Sequence, residues 1–197
     1  MDALDRLTFP RYTLRRKFLK IFGASFHIFD PDGNVVLFCK QKALRLREDI
    51  RLFTDESQTT ELLRISTKSV FDISGTYDVI DSIDGDRVGA LRRRGIKSMF
   101  KDEWLLLDEQ GNEIGTIKED SALMATLRRF IEAASLLFPQ KYHAEVQGQP
   151  VATFQQRFNP FIQKLDIDFT PDSQGLLDRR LGLAAAVMLG AIEGRQS

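Results

Sequence analysis

The stretch that most constrains the fold of this chain is its last one, residues 176–193. From Leu181 to Ile192 it carries no charged residue, and its large apolar residues point in every direction around a helix. A helix that is apolar all round must be enclosed on all sides. As a helix, the residues from Leu181 to Ile192 would be about 18 Å long, whereas a helix that crosses a bilayer needs about 20 residues and a length of about 30 Å. We therefore expect a core helix inside a protein shell rather than a membrane anchor, with Asp172 or Ser173 as its N-terminal cap.

The sequence before Lys118, together with residues 142–169, indicates what that shell is made of. It is a succession of short runs rich in Val, Ile, Phe and Leu, separated by turn signals, which is the pattern of antiparallel strands. Four turns rich in Gly, Asp, Asn and Pro predict hairpins; they lie at residues 30–34, 82–87, 108–112 and 146–150. The other strand candidates bring the total to about a dozen; they include residues 12–22, 25–29, 35–39, 44–46, 49–53, 62–66, 69–73 and 162–169.

Residues 121–138 break this pattern. Their apolar residues recur at the spacing of an amphipathic helix, with Asp120 or Ser121 as a cap and Pro139 at the end. We expect this helix on the outside of the sheet or at one end of it. About twelve strands followed by an all-apolar helix predict a mainly β fold, in which a closed antiparallel barrel surrounds the C-terminal helix. Closure removes the sheet edges that so many strands would otherwise expose.

Composition sets the broad class of protein. The 197 residues fit a single domain, with a core from about residue 12 to residue 193. The 28 basic and 28 acidic residues cancel, so no overall field attracts nucleic acid. The single cysteine, Cys39, excludes an internal disulfide and fits a reducing compartment. The first residues lack the basic and apolar pattern of a secretory signal, so we expect a cytoplasmic protein without a transmembrane span.

Three segments and the buried helix carry a resemblance to a known family. The segments are YTLRRKFLKIFGASFHIFDPDGNVVLFCKQKA, YDVIDSIDGDRVGALRRRG and WLLLDEQGNEIGTIKED. In this order they resemble the tubby-like superfamily, and within it the LURP-one-related and phospholipid-scramblase-like branch. The resemblance implies a barrel of twelve strands around a hydrophobic helix. It also implies a module that binds phosphoinositides or acts at membranes, although the proline-rich segment and cysteine run of scramblases are missing here.

The strongest candidate site is basic. Several cations crowd the first strand and the end of the strand before Gly95, and they would form one patch if those strand ends were adjacent. The alternative is that they decorate a solvated face, since successive strand residues point to opposite sides. The candidate residues for binding a lipid headgroup are Arg15, Lys17, Lys20, Arg92, Arg93, Arg94 and Lys97.

Metal binding and catalysis have weaker candidates. The turn that starts at Asp30 begins like a calcium loop, but the glutamate expected twelve residues on is Gln41, so a plain hairpin turn is favoured. His27, His143 and Cys39 lack the surrounding motifs of known catalytic sites. No metal or cofactor is therefore expected. Trp104 could anchor a surface, although packing in the core suits it better.

These observations favour a non-enzymatic binding module over an enzyme. We expect it to bind an anionic membrane surface peripherally or to bind another protein. We do not expect it to bind nucleic acid. An interaction scaffold of unassigned activity is the alternative, and an enzyme with its site at the barrel rim is a further one. If the helix fills the barrel, the site must lie on the outer wall or at the rim.

Overall fold

The computed structural model describes residues 5–19, 23–41, 50–67, 75–94, 103–120, 140–157 and 162–193. These residues form a closed antiparallel barrel of twelve strands around one helix, as the sequence predicts. The strands are β1 (Arg11–Leu19), β2 (Gly23–Phe29), β3 (Val35–Gln41), β4 (Ile50–Phe53), β5 (Glu61–Ser66), β6 (Thr76–Asp81), β7 (Arg87–Arg93), β8 (Glu103–Leu107), β9 (Glu113–Glu119), β10 (Lys141–Val146), β11 (Gln149–Arg157) and β12 (Gln163–Asp168). The helix, α1, is Arg179–Glu193, and a short 3-10 turn, Asp5–Leu7, precedes β1.

The strands follow one another around the barrel in sequence order, and β1 closes the ring against β12. Each strand therefore pairs with its neighbours in the chain, which is the arrangement that short turns favour. The predicted turn at Asp30 shows how these turns are built: the carboxylate accepts hydrogen bonds from the backbone N–H of Asn34 at 2.8 Å and from its amide at 3.0 Å. Asp108 and Asn112 repeat the same bonds at the same distances.

The barrel has two unlike ends, which we name here. The five turns between β2 and β3, β4 and β5, β6 and β7, β8 and β9, and β10 and β11 all lie at one end, the turn end. The other connections between strands begin and finish at the opposite end, the connector end. They are residues 20–22, 42–49, 68–74, 95–102, 121–139 and 158–161, which lie outside the described residues. The predicted amphipathic helix at 121–138 and the strand candidates at 44–46 and 69–73 therefore also lie outside the described residues.

The helix occupies the interior of the barrel. Every residue from Leu181 to Ala191 is buried, as expected of a helix that is apolar all round. Its N-terminus lies at the turn end, where Arg180 Nη1 donates to Asp81 Oδ2 at 2.7 Å. A Cβ on Gly182 would lie 2.5 Å from Phe169 Cε1, so a small residue is needed where the helix meets the wall. None of the described helices is long and apolar enough to cross a membrane.

The start of the helix differs from the expectation. The predicted cap was Asp172 or Ser173, but the helix begins at Arg179, and Asp178 accepts the hydrogen bond from the Arg180 backbone N–H at 2.8 Å. Asp172 is buried and accepts instead from the backbone N–H groups of Leu176 and Leu177, at 2.8 and 3.1 Å. The prediction was wrong because Asp172 closes a separate turn that leads into the helix.

Candidate functional site

The predicted cations of the first strand lie on the outer wall of the barrel. Arg15 and Lys17 are exposed on β1, and they alternate with Leu14, which is fully buried in the core. A strand with one face in the core and the other in solvent requires this alternation. Lys20 lies outside the described residues.

The second group of predicted cations lies on the opposite side. Arg92 and Arg93 end β7, and the exposed Arg94 follows them. Five strands separate β1 from β7 in either direction around the ring, so the wall does not bring the two groups into one patch. Both strands run toward the connector end, and both groups therefore lie near the same end of the barrel. Lys97 lies outside the described residues.

Two lysines that sequence reasoning missed join the β1 group. Lys164 on β12 pairs directly with Arg15 across the closing strands, and Lys40 on β3 pairs with Ser25, which in turn pairs with Lys17. Lys164 and Lys40 are three strand spacings of about 4.8 Å and two residue rises of about 3.3 Å apart, so they lie roughly 16 Å from each other across the wall. We call Arg15, Lys17, Lys40 and Lys164 the β1 cationic patch.

The members of this patch have no acidic partner among the described residues. None of the four forms an ion pair in the portion of the chain that the structure describes. Arg15 instead places its guanidinium carbon 4.3 Å from the centre of the Phe29 ring, a cation–π contact that leaves its charge uncompensated. Like charges directly opposite each other in a sheet are destabilising. An external anion would relieve the repulsion between Arg15 and Lys164.

A buried histidine on β2 lies next to the patch. His27, the partner of Arg15 on β2, is only 4% exposed although it faces outward. Its ring packs against Phe29 and Phe38, and its Nε2 lies 2.5 Å from Glu56 Oε1 of the β4–β5 turn. These contacts hold the His27 side chain against the outer wall next to Arg15.

The cations near β7 have partners. Arg94 forms an ion pair with Glu103 at 3.1 Å, and Lys118 lies 3.8 Å from the same carboxylate. Arg92 donates from Nε to Thr76 Oγ1 at 3.0 Å. Arg93 is half-buried beside Trp104, its partner on β8. This group is therefore less free to attract an external anion than the β1 cationic patch.

Arg16 has a structural position between the two exposed cations of β1. It faces inward, is 6% exposed, and donates from Nη1 to the Gly190 carbonyl oxygen at 2.8 Å and to Gln163 at 3.3 Å. A cation at the C-terminus of a helix satisfies a free carbonyl and matches the negative end of the helix dipole. Arg16 therefore fixes the helix to the wall that carries the patch.

The histidines and the cysteine do not form a catalytic pair. Cys39 lies in the core on β3, whereas His143 is half-buried on the outer face of β10, with Nε2 3.4 Å from Asp120 Oδ2. Burial raises the pKa of the Cys39 thiol to about 12, which keeps it protonated and unreactive.

The acidic turns are hairpin turns, as predicted. Burial works to raise the pKa of Asp30, but the hydrogen bonds from Asn34 and from the backbone of Asp32 and Gly33 outweigh it and hold the pKa below its usual value. Among the described residues, no group of three or more His, Cys, Asp or Glu side chains is placed to hold a metal ion.

Trp104 is 2% exposed and belongs to the core, which confirms the packing interpretation.

A groove of about 390 Å³ lies beside the patch, on the outer wall of β11, β12 and β1. Its two arginines are paired with two of its aspartates: Arg11 contacts Asp168 at 3.2 Å, and Arg157 contacts Asp166. Thr13 also donates to Asp166, at 3.3 Å. Because these charges are satisfied internally, the groove attracts an anion less than the patch does.

Comparison with known proteins supports the class of fold. No known protein family and no curated protein matches this sequence. The barrel is similar to the X-ray structure of the Arabidopsis thaliana protein AT5G01750, with a TM-score of 0.52 and 12% sequence identity, over 98% of this chain and 96% of that chain. At this identity the likeness shows a shared fold alone. A twelve-stranded barrel around a central helix fits the tubby-like fold that the sequence resemblance implied.

Proposed function

We propose that this protein is a non-enzymatic binding module of the tubby-like, LURP-one-related type that attaches to anionic phospholipid surfaces through the β1 cationic patch. The observation that carries the proposal is the set of four cations on neighbouring strands without an ion pair among the described residues. Headgroup phosphates supply the anions that such a patch lacks. The helix-filled interior leaves the outer wall as the surface for a ligand.

The expected strength is that of a reversible peripheral contact. Each Lys or Arg near an anionic surface contributes about 1 kcal/mol, so four contribute about 4 kcal/mol, or roughly a thousandfold in partitioning. Arg15, Lys17 and Lys40 are exposed and Lys164 is half-buried, and the Debye length is about 8 Å at physiological ionic strength. Binding should therefore weaken as salt is added.

Co-sedimentation with vesicles tests the proposal. We expect the full chain to bind vesicles that contain phosphatidylserine or a phosphoinositide, and not vesicles of phosphatidylcholine alone. The test variant replaces the whole patch by glutamine: Arg15→Gln, Lys17→Gln, Lys40→Gln and Lys164→Gln. It should lose binding by at least a hundredfold.

A matched control removes the same amount of charge elsewhere. Its four cations share two glutamates, Glu61 and Glu103, within ion-pair distance. The control substitutions are Arg51→Gln, Arg64→Gln, Arg94→Gln and Lys118→Gln. If both variants lose binding equally, net charge rather than the patch is responsible. If neither does, a protein partner becomes the better candidate for this surface.

The β7 cations that the sequence singled out need a separate test. Replacing Arg92, Arg93 and Arg94 with alanine should weaken vesicle binding less than the patch variant does, because these cations have contacts within the barrel. A larger loss than that of the patch variant would assign the lipid site to β7 instead.

A further inference from the structure

The two ends of the barrel differ in charge although the chain is neutral. All the lysines that the structure describes lie in the half of the barrel nearer the connector end. They are Lys17, Lys40, Lys118, Lys141 and Lys164, from β1, β3, β9, β10 and β12. Arg92, Arg93 and Arg94 of the β7 group lie in this half as well, and Arg15 lies at the middle of β1. The connector half is therefore the cationic half of the described barrel.

The turn end carries exposed carboxylates on four of its five turns. These side chains are Asp32, Asp55, Glu56, Asp84, Asp86 and Glu109. Three arginines at this end pair with carboxylates: Arg11 with Asp168, Arg87 with Asp78, and Arg180 with Asp81 and Asp178. Two others are half-buried: Arg6 donates to the backbone oxygens of Val35 and Thr54, and Arg179 lies over the Phe169 ring. The exposed surface of the turn end is therefore negative.

The central helix is oriented to match this separation. Its N-terminus, the positive end of its dipole, lies at the acidic turn end, beside Asp178 and Asp81. Its C-terminus, the negative end, lies in the cationic half, where Arg16 donates to the Gly190 carbonyl oxygen. The charges at each end of the barrel therefore favour this direction of the helix over the reverse one.

We infer that the described barrel binds an anionic membrane in one orientation, with the cationic half of β12, β1 and β3 toward the surface and the four acidic turns away from it. This inference rests on the proposed function. A strand of seven residues is about 23 Å long, between two and three Debye lengths of about 8 Å. In this orientation the turn carboxylates are screened from the lipid, whereas in the reverse orientation they face it and repel it.

Site-specific fluorescence tests the orientation. Cys39 is buried with a thiol pKa of about 12, so a cysteine introduced at the surface can be labelled selectively. Two exposed glutamines form a matched pair: Gln155 in the connector half of β11, and Gln110 in the β8–β9 turn. We expect a lipid-borne quencher in bound vesicles to quench the dye on the Gln155→Cys variant several times more than the dye on Gln110→Cys.

Adding charge gives a second readout. Gln155→Lys should raise the vesicle partition coefficient about fivefold, the factor that one added cation near the surface carries, whereas Gln110→Lys should change it less than 1.5-fold. If the dye is quenched equally at both positions and both lysine substitutions raise the partition coefficient equally, the orientation is wrong, although lipid binding itself stands. If the unmodified chain does not bind anionic vesicles at all, the proposed function fails, and the inference fails with it.

Discussion

The strands β11, β12, β1, β2 and β3 form one side of the barrel, the β1 wall, and β6 to β9 form the other, the β7 wall. Both walls carry runs of basic residues, but these residues make different contacts. On β1 the exposed cations stand beside Lys164 and Lys40 without ion pairs among the described residues. Near β7, Arg94 and Lys118 share Glu103, and Arg92 bonds to Thr76. The difference shows that two basic runs that look alike in sequence can have different contacts, because the neighbouring strands decide which charges find a partner.

The outer faces of the two walls explain this difference. Ala90, Leu105 and Leu107 form a small buried cluster on the outside of β7 and β8, separate from the main core. Beside it, the ion pair between Arg87 and Asp78 is largely buried. The β7 wall is therefore part of the packed structure on both faces, whereas the β1 wall is packed on its inner face and presents exposed cations outside.

The largest expected effect is on packing at the β7 wall. A Cβ on Gly89 would lie 2.5 Å from the Leu107 carbonyl oxygen, so the backbone of β7 or β8 must move in the Gly89→Ala variant. We expect a loss of about 3 kcal/mol in the free energy of unfolding, the upper range for overpacking. Urea denaturation measures it. Lys17→Ala on the β1 wall is the control and should cost less than about 0.5 kcal/mol; equal losses would contradict the contrast between the walls.

The next effect compares one ion pair on each wall. The side chains of Asp78 and Arg87 are 9% and 24% exposed, whereas those of Asp166 and Arg157 are 29% and 64% exposed. Removing one partner of a mostly buried pair leaves a charge poorly solvated, so Asp78→Asn should cost about 2 kcal/mol. Asp166→Asn should cost less than about 1 kcal/mol, as exposed pairs do. Thermal and urea unfolding of both variants measure these losses. A larger loss in Asp166→Asn than in Asp78→Asn would count against a packed β7 wall.

A smaller effect concerns single cations and lipid. Lys17→Gln should weaken binding to anionic vesicles about fivefold, the contribution of one surface cation. Arg94→Gln should weaken it less than twofold, because Glu103 already offsets much of the charge of Arg94. Titrations at two salt concentrations measure both, and the Lys17 effect should shrink at the higher one. The contrast fails if Arg94→Gln is the more damaging change.

The smallest effect should be alike on both sides of the barrel. Asp30 and Asp108 have pKa values held below the ordinary 3.8 by hydrogen bonds in their turns. A folded pKa below the unfolded one contributes stability that is present above about pH 4 and is lost as the pH falls through the folded pKa. We expect unfolding free energy to drop below about pH 4, and Asp30→Asn and Asp108→Asn each to reduce that drop slightly. A pH series of urea midpoints tests this; a drop unchanged in both variants would contradict it.

Much of the fold could be predicted because its signals are local. The turns at Asp30 and Asp108 follow from residues within five positions of each other, and the all-apolar segment from Leu181 implies an enclosing shell. The start of the helix could not be predicted as well. Asp172 and Asp178 both suit a helix cap, and only the packing of Leu177 in the core decides that the first closes a turn and the second caps the helix.

The candidate site depended on tertiary structure. The sequence by itself determined that Arg15 and Lys17 share one face of a strand, because side chains alternate along β structure. Closure of the ring decided that Lys164, distant in the chain, stands beside Arg15, and that Arg92 lies on the opposite wall. Pairing and register are set by burying both edges of the sheet and one face of every strand, which is a property of the whole barrel and not of any local stretch.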